Sequence, residues 1–239
     1  MLLLVKSLKV HCLGDSMDEY VILVDENDNP IGKEEKVKCH LPNGKLHRAF
    51  TALIFNNEGK LLLTKRSDKK MLWPGYWDGT VASHPRESET YVSSAERRMP
   101  EEIGISCKMN YVNKFEYHVP YKDVGSENEI CGTLVGLIDD FDESSLIKDE
   151  ISEIKWISSD ELKNELQHNR SAYCPWMILA LWFLPPYSED ISTKLGNANE
   201  KFSSLIPEQW KEKPPTYVNA IHHYTKLSTL TWRLVIPND

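Results

Sequence analysis

The sequence predicts an α/β fold in which a mixed β-sheet is sandwiched by helices, followed by a helical or irregular C-terminal extension. Strand-like runs dominate the first third of the chain, helical periodicity is confined to a few segments, and further strand-like runs follow the first helix. Strands mixed with few helices are typical of a sheet that carries its helices on the outside.

The first strands lie early in the chain. Tyr20–Val24 is a β-branched run closed by turn-forming residues 25–30. Residues 48–55 and 60–64 flank Asn56-Asn57-Glu58-Gly59, which predicts a hairpin. Because both faces of residues 50–55 are apolar, we expect this strand to be central in the sheet.

A helix is expected at residues 89–103. Apolar residues recur there at helical spacing, at Val92, Ala95, Met99 and Ile103, and Gly104 is a stop signal. Pro100 removes a backbone donor at a typical cost of about 3 kcal/mol. It predicts a kink near residues 96–100.

Three more strands are predicted at residues 108–119, 130–138 and 151–157. A helix follows at residues 159–167, where Ser158 and Glu161 have the spacing of a capping box. Residues 176–184 are apolar nearly all round and predict a buried helix that Pro185-Pro186 ends. We expect an N-terminal extension at 1–18, one catalytic domain at 19–186 and a C-terminal extension at 187–239 that packs on it.

Charge and cysteine content narrow the setting. The net charge of −8 disfavours nucleic acid as a partner but permits a local basic pocket for a phosphate group. Five cysteines without C-x-x-C spacing suggest neither disulfides nor a zinc knuckle, which fits the cytoplasm. The apolar opening is too short for a membrane span or a secretory signal, so we expect no targeting or integral membrane segment. The oligomeric state is left open.

Five residues form a candidate metal site: His40 and His47 in H-x6-H, His84 in S-H-P, and Glu127 and Glu129 in E-N-E. Three imidazoles and two carboxylates suit a divalent ion that accepts nitrogen and oxygen ligands.

Between these ligands lies a second motif. Residues 83–105 read S-x5-E-x7-R-R-M-P-E-E-I-G-I, which resembles the Nudix box G-x5-E-x7-R-E-U-x-E-E-x-G-U. Ser83 replaces the glycine and Arg98 replaces the first glutamate of that box. Arg98 and Glu102 lie at i and i+4 on one helical face, where they can face a metal-bound diphosphate or form an ordinary ion pair.

The stretch from Lys36 to Trp176 resembles the type I isopentenyl-diphosphate delta-isomerases, a Nudix-fold family. The resemblance is carried by K-x3-H-x6-H-R-A-F, L-L-L-T-K-R-S, W-P-G-Y-W, S-H-P, the R-R of the box, E-N-E and P-W-M. It implies that the five candidate ligands hold a divalent metal, Mg²⁺, Mn²⁺ or Zn²⁺. It also implies an isoprenoid diphosphate as the small-molecule substrate.

The resemblance further implies roles at the diphosphate and the alkene. The diphosphate-binding bases match Lys36, Arg66, Lys70 and Arg98, and Glu102 matches the carboxylate that reaches the diphosphate through Mg²⁺. The family's proton-donating glutamate and the tyrosine beside it, on one face of the alkene, match Glu129 and Tyr117. Trp176 matches the aromatic residue that shields the carbocation.

Ala82 stands where the family has its catalytic cysteine on the other face. Because a methyl group cannot exchange a proton, one partner of the isomerisation is missing. The remaining nearby thiols, Cys39, Cys131 and Cys174, are expected to be buried small hydrophobes.

Four functions therefore stay open. They are isomerase-type chemistry, protonation that ends in cyclisation, hydration or proton loss elsewhere, Nudix diphosphate hydrolysis, and prenyl-diphosphate binding without turnover. Arg98 opposes hydrolysis because it replaces a metal-binding carboxylate. The aromatic tail, with Phe202, Trp210, Tyr217, Tyr224 and Trp232, is expected to pack on the core rather than form a lid.

Overall fold

The computed structural model describes residues 19–138, 146, 148–184, 206–211, 221 and 230–235. The predicted extension at 1–18 and most of the extension at 187–239 lie outside these ranges, as do Pro185-Pro186, Phe202, Tyr217 and Tyr224. Within the described residues, no helix combines the length and apolar character that crossing a membrane requires.

The described strands form one mixed sheet. They are β1 (Tyr20–Val24), β2 (Pro30–Glu35), β3 (His47–Phe55), β4 (Leu61–Arg66), β5 (Trp77–Asp78), β6 (Val81–Ser83), β7 (Asn110–Tyr121), β8 (Gly125–Leu137), β9 (Ile151–Ile157) and β10 (Thr231–Val235). The main path runs β10-β7-β8-β3-β1-β2, β4 and β6 also pair with β3, and β5 and β9 pair with β4. Strands β3 and β8 run parallel, and the other paired strands in the described residues are antiparallel.

Four helices flank the sheet in the described residues: α1 (Lys36–His40), α2 (Tyr91–Glu102), α3 (Ser159–Asn169) and α4 (Pro175–Trp182). Ala95 and Met99 of α2 pack against one side, while α3 and α4 share a second core on the other side. The predicted fold class, a mixed sheet between helices, is confirmed.

Strand β3 is central, as its sequence predicted. Phe50 and Ile54 belong to the core on the α2 side, whereas Leu53 and Phe55 belong to the core on the α4 side. Alternate residues of a strand point to opposite faces, so a strand covered on both sides is apolar throughout. The predicted hairpin with β4 is limited to one pair, Phe55 with Leu61, because β4 then turns to pair with β5 and β9.

Helix α2 begins two residues later than predicted. Thr90 caps it, since its Oγ1 accepts the Ser93 N–H at 3.1 Å while Ser93 Oγ accepts the Thr90 N–H at 2.9 Å. The helix is continuous through Pro100, which lies in its last turn. The predicted capping box of Ser158 and Glu161 is present at the start of α3.

The described parts of the C-terminal extension lie against the domain. Trp210 is buried, its ring centroid lies 5.6 Å from that of Phe55, and its Nε1 donates to Gly59 O at 2.8 Å. Strand β10 pairs with β7, and the half-exposed Trp232 contacts Phe183 at 5.5 Å between ring centroids. Neither tryptophan lines the cavity described below.

Candidate active site

Four buried side chains converge at one end of the sheet. His40 ends α1, His47 begins β3, His84 follows β6, and Glu129 lies in β8. One ligand atom from each of the four lies within 4.8 Å of the others. Glu127 joins them, since its Oε2 lies 3.0 Å from His40 Nε2. The structure therefore brings all five predicted metal ligands together.

Hydrogen bonds orient two of the imidazoles toward the centre of this cluster. His40 Nδ1 lies 2.6 Å from Lys36 O, and His47 Nδ1 lies 2.7 Å from Lys45 O. Because a carbonyl oxygen only accepts, each Nδ1 carries a hydrogen, and each Nε2 faces the carboxylates of the cluster. This arrangement is common around metal-binding histidines.

The buried atoms of the cluster fit a cation. Several buried atoms of the cluster have no hydrogen-bond partner among the described residues: His47 Nε2, both ring nitrogens of His84 and Glu127 Oε2. His40 Nε2 lies 3.0 Å from Glu127 Oε2. Unpaired buried polar groups are costly, and a divalent ion would satisfy several of them at once.

Strand register aligns Glu129 with its neighbours. Tyr117 on β7 and His47 on β3 are the direct Cα partners of Glu129. Tyr117 donates its hydroxyl hydrogen to Glu129 Oε2 at 2.6 Å, while Glu129 Oε1 lies 3.4 Å from His47 Nε2 and 3.3 Å from His84 Nε2. One carboxylate oxygen thus faces the histidines and the other faces the tyrosine.

Burial and nearby charges determine the protonation of Glu129 and Tyr117 in the row formed by Tyr117, Glu129 and His47. Burial opposes ionisation of Glu129, but the nearby His47 imidazole and the Tyr117 hydroxyl lower its pKa. Burial and the charge of Glu129 raise the pKa of Tyr117 well above its ordinary value. Tyr117 therefore keeps its proton and remains a hydrogen-bond donor to the carboxylate.

A cavity of about 470 Å³ adjoins this row and has a largely apolar lining. Tyr117, Glu129, Ala82 and Trp176 all contribute to its wall, so the structure brings together the four residues predicted for proton transfer and cation shielding. Cys131 is the thiol that lines the cavity in the described part of the chain, and burial raises its pKa well above the ordinary value. It sits as a neutral thiol, in line with its expected role as a small hydrophobe.

Three of the four predicted diphosphate-binding bases also line the cavity, and each is paired with a carboxylate. Lys36 Nζ lies 3.1 Å from Glu19 Oε2, Arg66 Nη1 lies 3.2 Å from Asp78 Oδ2, and Lys70 is paired with Glu150. A diphosphate must therefore join or displace these carboxylates.

Arg98 and Glu102 are placed differently. They pair with each other on α2, with Arg98 Nη2 2.5 Å from Glu102 Oε1, and neither is among the residues that line the cavity. Glu150 connects them to the cavity, since its Oε1 lies 3.9 Å from Arg98 Nη2 and its Oε2 pairs with Lys70. The ion-pair alternative considered for these residues describes their arrangement here.

Sequence reasoning did not single out the three partner carboxylates, Glu19, Asp78 and Glu150. They lie outside the motifs, and two of the pairs join distant positions: Lys70 with Glu150 and Asp78 with Trp176. The one local signal was the position of Asp78 directly after W-P-G-Y-W.

The fold and site define a Nudix protein, and comparison with known families agrees. The NUDIX domain model matches residues 45–177 of this chain. Among solved structures, DR0079 from Deinococcus radiodurans shares the fold, with a TM-score of 0.54, 20% identity, and coverage of 68% of this chain and 97% of that one.

The relatives specify the family within this class. An isopentenyl-diphosphate Delta-isomerase from Halobacterium salinarum is 36% identical over 175 residues, covering 70% of this chain and 81% of the relative. Isopentenyl-diphosphate Delta-isomerase 1 from Photorhabdus laumondii is 38% identical over 161 residues, covering 66% of this chain and 90% of the relative. This chain belongs to the isopentenyl-diphosphate Delta-isomerase family.

Proposed function

We propose that the protein is a metal-dependent enzyme that protonates the alkene of an isoprenoid diphosphate, as an isomerase of the kind its relatives are named for. The observation that carries this proposal is the position of Glu129. It shares one oxygen with the histidine cluster and the other with Tyr117, beside a largely apolar cavity that three bases also line. This combination suits an alkene attached to an anionic headgroup.

The proton in this proposal comes from the pair formed by Glu129 and Tyr117. Because its pKa is lowered, Glu129 is ionised before the reaction and first takes up a proton from solvent. It then gives this proton to the terminal CH₂ of a 3-methylbut-3-enyl chain, which leaves a tertiary carbocation. Tyr117 donates to the resulting carboxylate. The face of Trp176 stabilises the cation by about 2 kcal/mol in a desolvated site.

The residues that would hold the metal are His40, His47, His84, Glu127 and Glu129, whose unpartnered buried atoms fit a divalent ion such as Mg²⁺, Mn²⁺ or Zn²⁺. A bound ion would supply a fixed positive charge that orders Glu129 and tunes its acidity.

The headgroup would be held by basic residues. Arg66 has five N–H donors and, among the described residues, uses three of them, on Asp78, Trp73 O and Leu72 O, which leaves two for a phosphate. Lys36 and Lys70 line the same cavity. Arg98 and Glu102 lie outside the cavity lining, and they would assist a diphosphate-bound Mg²⁺ only if the contact between Arg98 and Glu150 rearranged. Held without cleavage, the headgroup stays attached while the alkene reacts.

A second candidate follows from Ala82. Its methyl lines the cavity where the family resemblance places the cysteine, so the cation has no thiolate to take a proton from its other face. The cation can then return its proton to Glu129, or leave by cyclisation, hydration or proton loss to another base. Hydrolysis is disfavoured because Arg98, rather than a carboxylate, pairs with Glu102.

Deuterium incorporation tests the proposal. The protein is incubated in D₂O with Mg²⁺, with or without Mn²⁺ or Zn²⁺, and with isopentenyl, dimethylallyl, geranyl or farnesyl diphosphate. We expect deuterium to enter the terminal alkene carbon of isopentenyl diphosphate, and the double bond to migrate slowly, because Ala82 stands where the thiol on the second face would be. Glu129→Gln should abolish the exchange, whereas Glu116→Gln, the neighbouring half-buried residue paired with Arg233, should not.

The products separate the functions. A shifted double bond identifies an isomerase, a ring or alcohol identifies the second candidate, and phosphate release without rearrangement identifies a hydrolase. Absence of exchange and of any product with all four substrates would contradict the enzymatic proposal, and tight binding alone would identify a non-catalytic protein.

Ala82→Cys sharpens this test. Restoring a thiol should raise double-bond migration at least about tenfold, because the cation gains a base on its second face. Ala82→Ser is the matched control, since it adds similar volume without an acidic thiol. No gain with cysteine in a folded, metal-binding variant would mean that the cavity shape itself has diverged from an isomerase.

A further inference from the structure

We infer that Asp78 is a positioning residue that holds Arg66 and Trp176 in their places in the candidate site, an inference that rests on the proposed function. Asp78 ends β5 and is 2% exposed. Its Oδ2 accepts from Arg66 Nη1 at 3.2 Å, and its Oδ1 accepts from Trp176 Nε1 at 2.8 Å. The backbone N–H of Gly79 donates to the same Oδ1 at 2.7 Å, which fixes the carboxylate itself.

The contacts of Asp78 differ from those of a general stabilising ion pair. Two of its side-chain partners, Arg66 and Trp176, line the cavity, while Asp78 itself and its third partner, Cys174, are not among the lining residues. A residue that touches two site residues but not the ligand space acts through them.

Several contacts among the described residues hold Arg66 in place. Besides Asp78, its Nε donates to Trp73 O at 3.1 Å and its Nη2 donates to Leu72 O at 2.9 Å. Its guanidinium carbon lies 5.4 Å from the ring centroid of Trp176. The planar group is therefore fixed in orientation, and its two remaining N–H donors have set directions.

Trp176 depends on the same carboxylate. Its indole N–H is its one conventional hydrogen-bond donor, and this donor is bound to a negative oxygen rather than to water or a carbonyl. Donation to an anion fixes the plane of the ring and shifts electron density onto it, which strengthens attraction of its face for a cation. Asp78 thus contacts both Arg66, which is proposed to bind the diphosphate headgroup, and Trp176, which is proposed to stabilise the carbocation.

Double-mutant cycles test this inference. Asp78→Asn is measured alone and in the Arg66→Gln and Trp176→Phe backgrounds, with Asp68→Asn, at an exposed aspartate, as the matched control. Calorimetry gives the Kd of inorganic diphosphate and of isopentenyl diphosphate, D₂O exchange gives kcat and KM, and thermal unfolding reports folding.

Asp78→Asn should weaken inorganic diphosphate binding about tenfold and lower kcat about tenfold, typical of losing an oriented charge contact. The loss of diphosphate affinity caused by Asp78→Asn should largely disappear in the Arg66→Gln background. The loss of kcat should shrink in the Trp176→Phe background, because the effects of substitutions at residues in contact are not additive. Asp68→Asn should stay within about twofold of the unaltered protein.

Three outcomes overturn the inference. They are unchanged Kd and kcat in folded Asp78→Asn, the same loss in both mutant backgrounds as in the unaltered protein, or an equal loss in Asp68→Asn. Should Asp78→Asn fail to fold, Trp176→Phe carries the test: it keeps an aromatic wall but removes the bond to Asp78, and unchanged kcat would contradict the inference. An unaltered protein that neither binds nor exchanges any of these diphosphates would instead refute the proposed function.

Discussion

Metal binding should stabilise this protein, and one histidine should control the effect. Both ring nitrogens of His84 are buried, and neither has a hydrogen-bond partner among the described residues. Burial lowers its pKa well below the ordinary value, so the ring is neutral and able to ligate. The perturbation is addition of Mn²⁺, Zn²⁺ or Mg²⁺ to protein treated with EDTA, compared between the unaltered chain and His84→Ala.

The magnitude follows from binding linkage. A ligand that binds only the folded state at 100 times its Kd adds about 2.7 kcal/mol to the unfolding free energy. At about 2–4 °C per kcal/mol for a chain of this size, Tm should rise about 5–11 °C. His84→Ala removes a ligand and should lose most of the shift. It should not lower the metal-free Tm by more than about 2–4 °C, because it also deletes two unpaired buried nitrogens.

Differential scanning fluorimetry with and without each metal measures the effect. His168→Ala is the matched control, because His168 is exposed on α3 and contacts only Asn164 O in its own helix. An equal metal-induced shift in His84→Ala and the unaltered protein, or no shift with any of the three ions, would refute the metal site.

Two further predictions concern the scaffold. Arg97 holds Glu89 with two bonds, of 2.6 and 3.0 Å, and lowers its pKa against the opposing effect of burial, so this stability is present above the unfolded pKa and lost as pH falls. Glu89→Gln should therefore lower the unfolding free energy by about 1 kcal/mol at pH 7, and in urea titrations this loss should shrink as the pH falls through the lowered pKa of folded Glu89. A loss that does not change with pH would argue against the pair. Trp210→Phe should cost about 1 kcal/mol, since it loses the bond to Gly59 O but keeps the ring on Phe55, and kcat should not change; altered kcat at unchanged stability would place this segment in the site.

The strongly patterned strands could be predicted from sequence because their burial is periodic. β1 and β9 have the expected bounds, and β3 and β7 differ from theirs by one or two residues at an end. Strand β8 begins at Gly125, well before the predicted start at residue 130, and therefore includes Glu127 and Glu129. Strand β2 was missed because it is an edge strand with mostly exposed residues and pairs only with β1, so no apolar pattern marks it. Helix α1 was missed because it has five residues and no side-chain cap.

In the candidate site, too, residues in local motifs could be predicted from sequence, whereas long-range contacts could not. Its five metal ligands could be predicted because each belongs to a short motif, and the structure brings them together. The carboxylates that pair with other residues of the site could not be predicted, because Lys70 and Glu150 are 80 residues apart and Asp78 and Trp176 are 98 residues apart. Such contacts depend on how β4, β5, β9 and α4 meet in three dimensions, which local pattern does not encode.

The register of three strands ties the metal site to the proposed proton chemistry. Tyr117, Glu129 and His47 are direct partners across β7, β8 and β3, so their side chains share one face of the sheet. A slip of one residue in β8 would turn Glu129 into the opposite core and place Asn128 or Ile130 in the row. Because Glu129 alone contacts both the histidines and the tyrosine hydroxyl in the described structure, neither half of the site can form without that register. The apolar residues that fix β3 between two cores therefore also fix the geometry on which the proposed reaction depends.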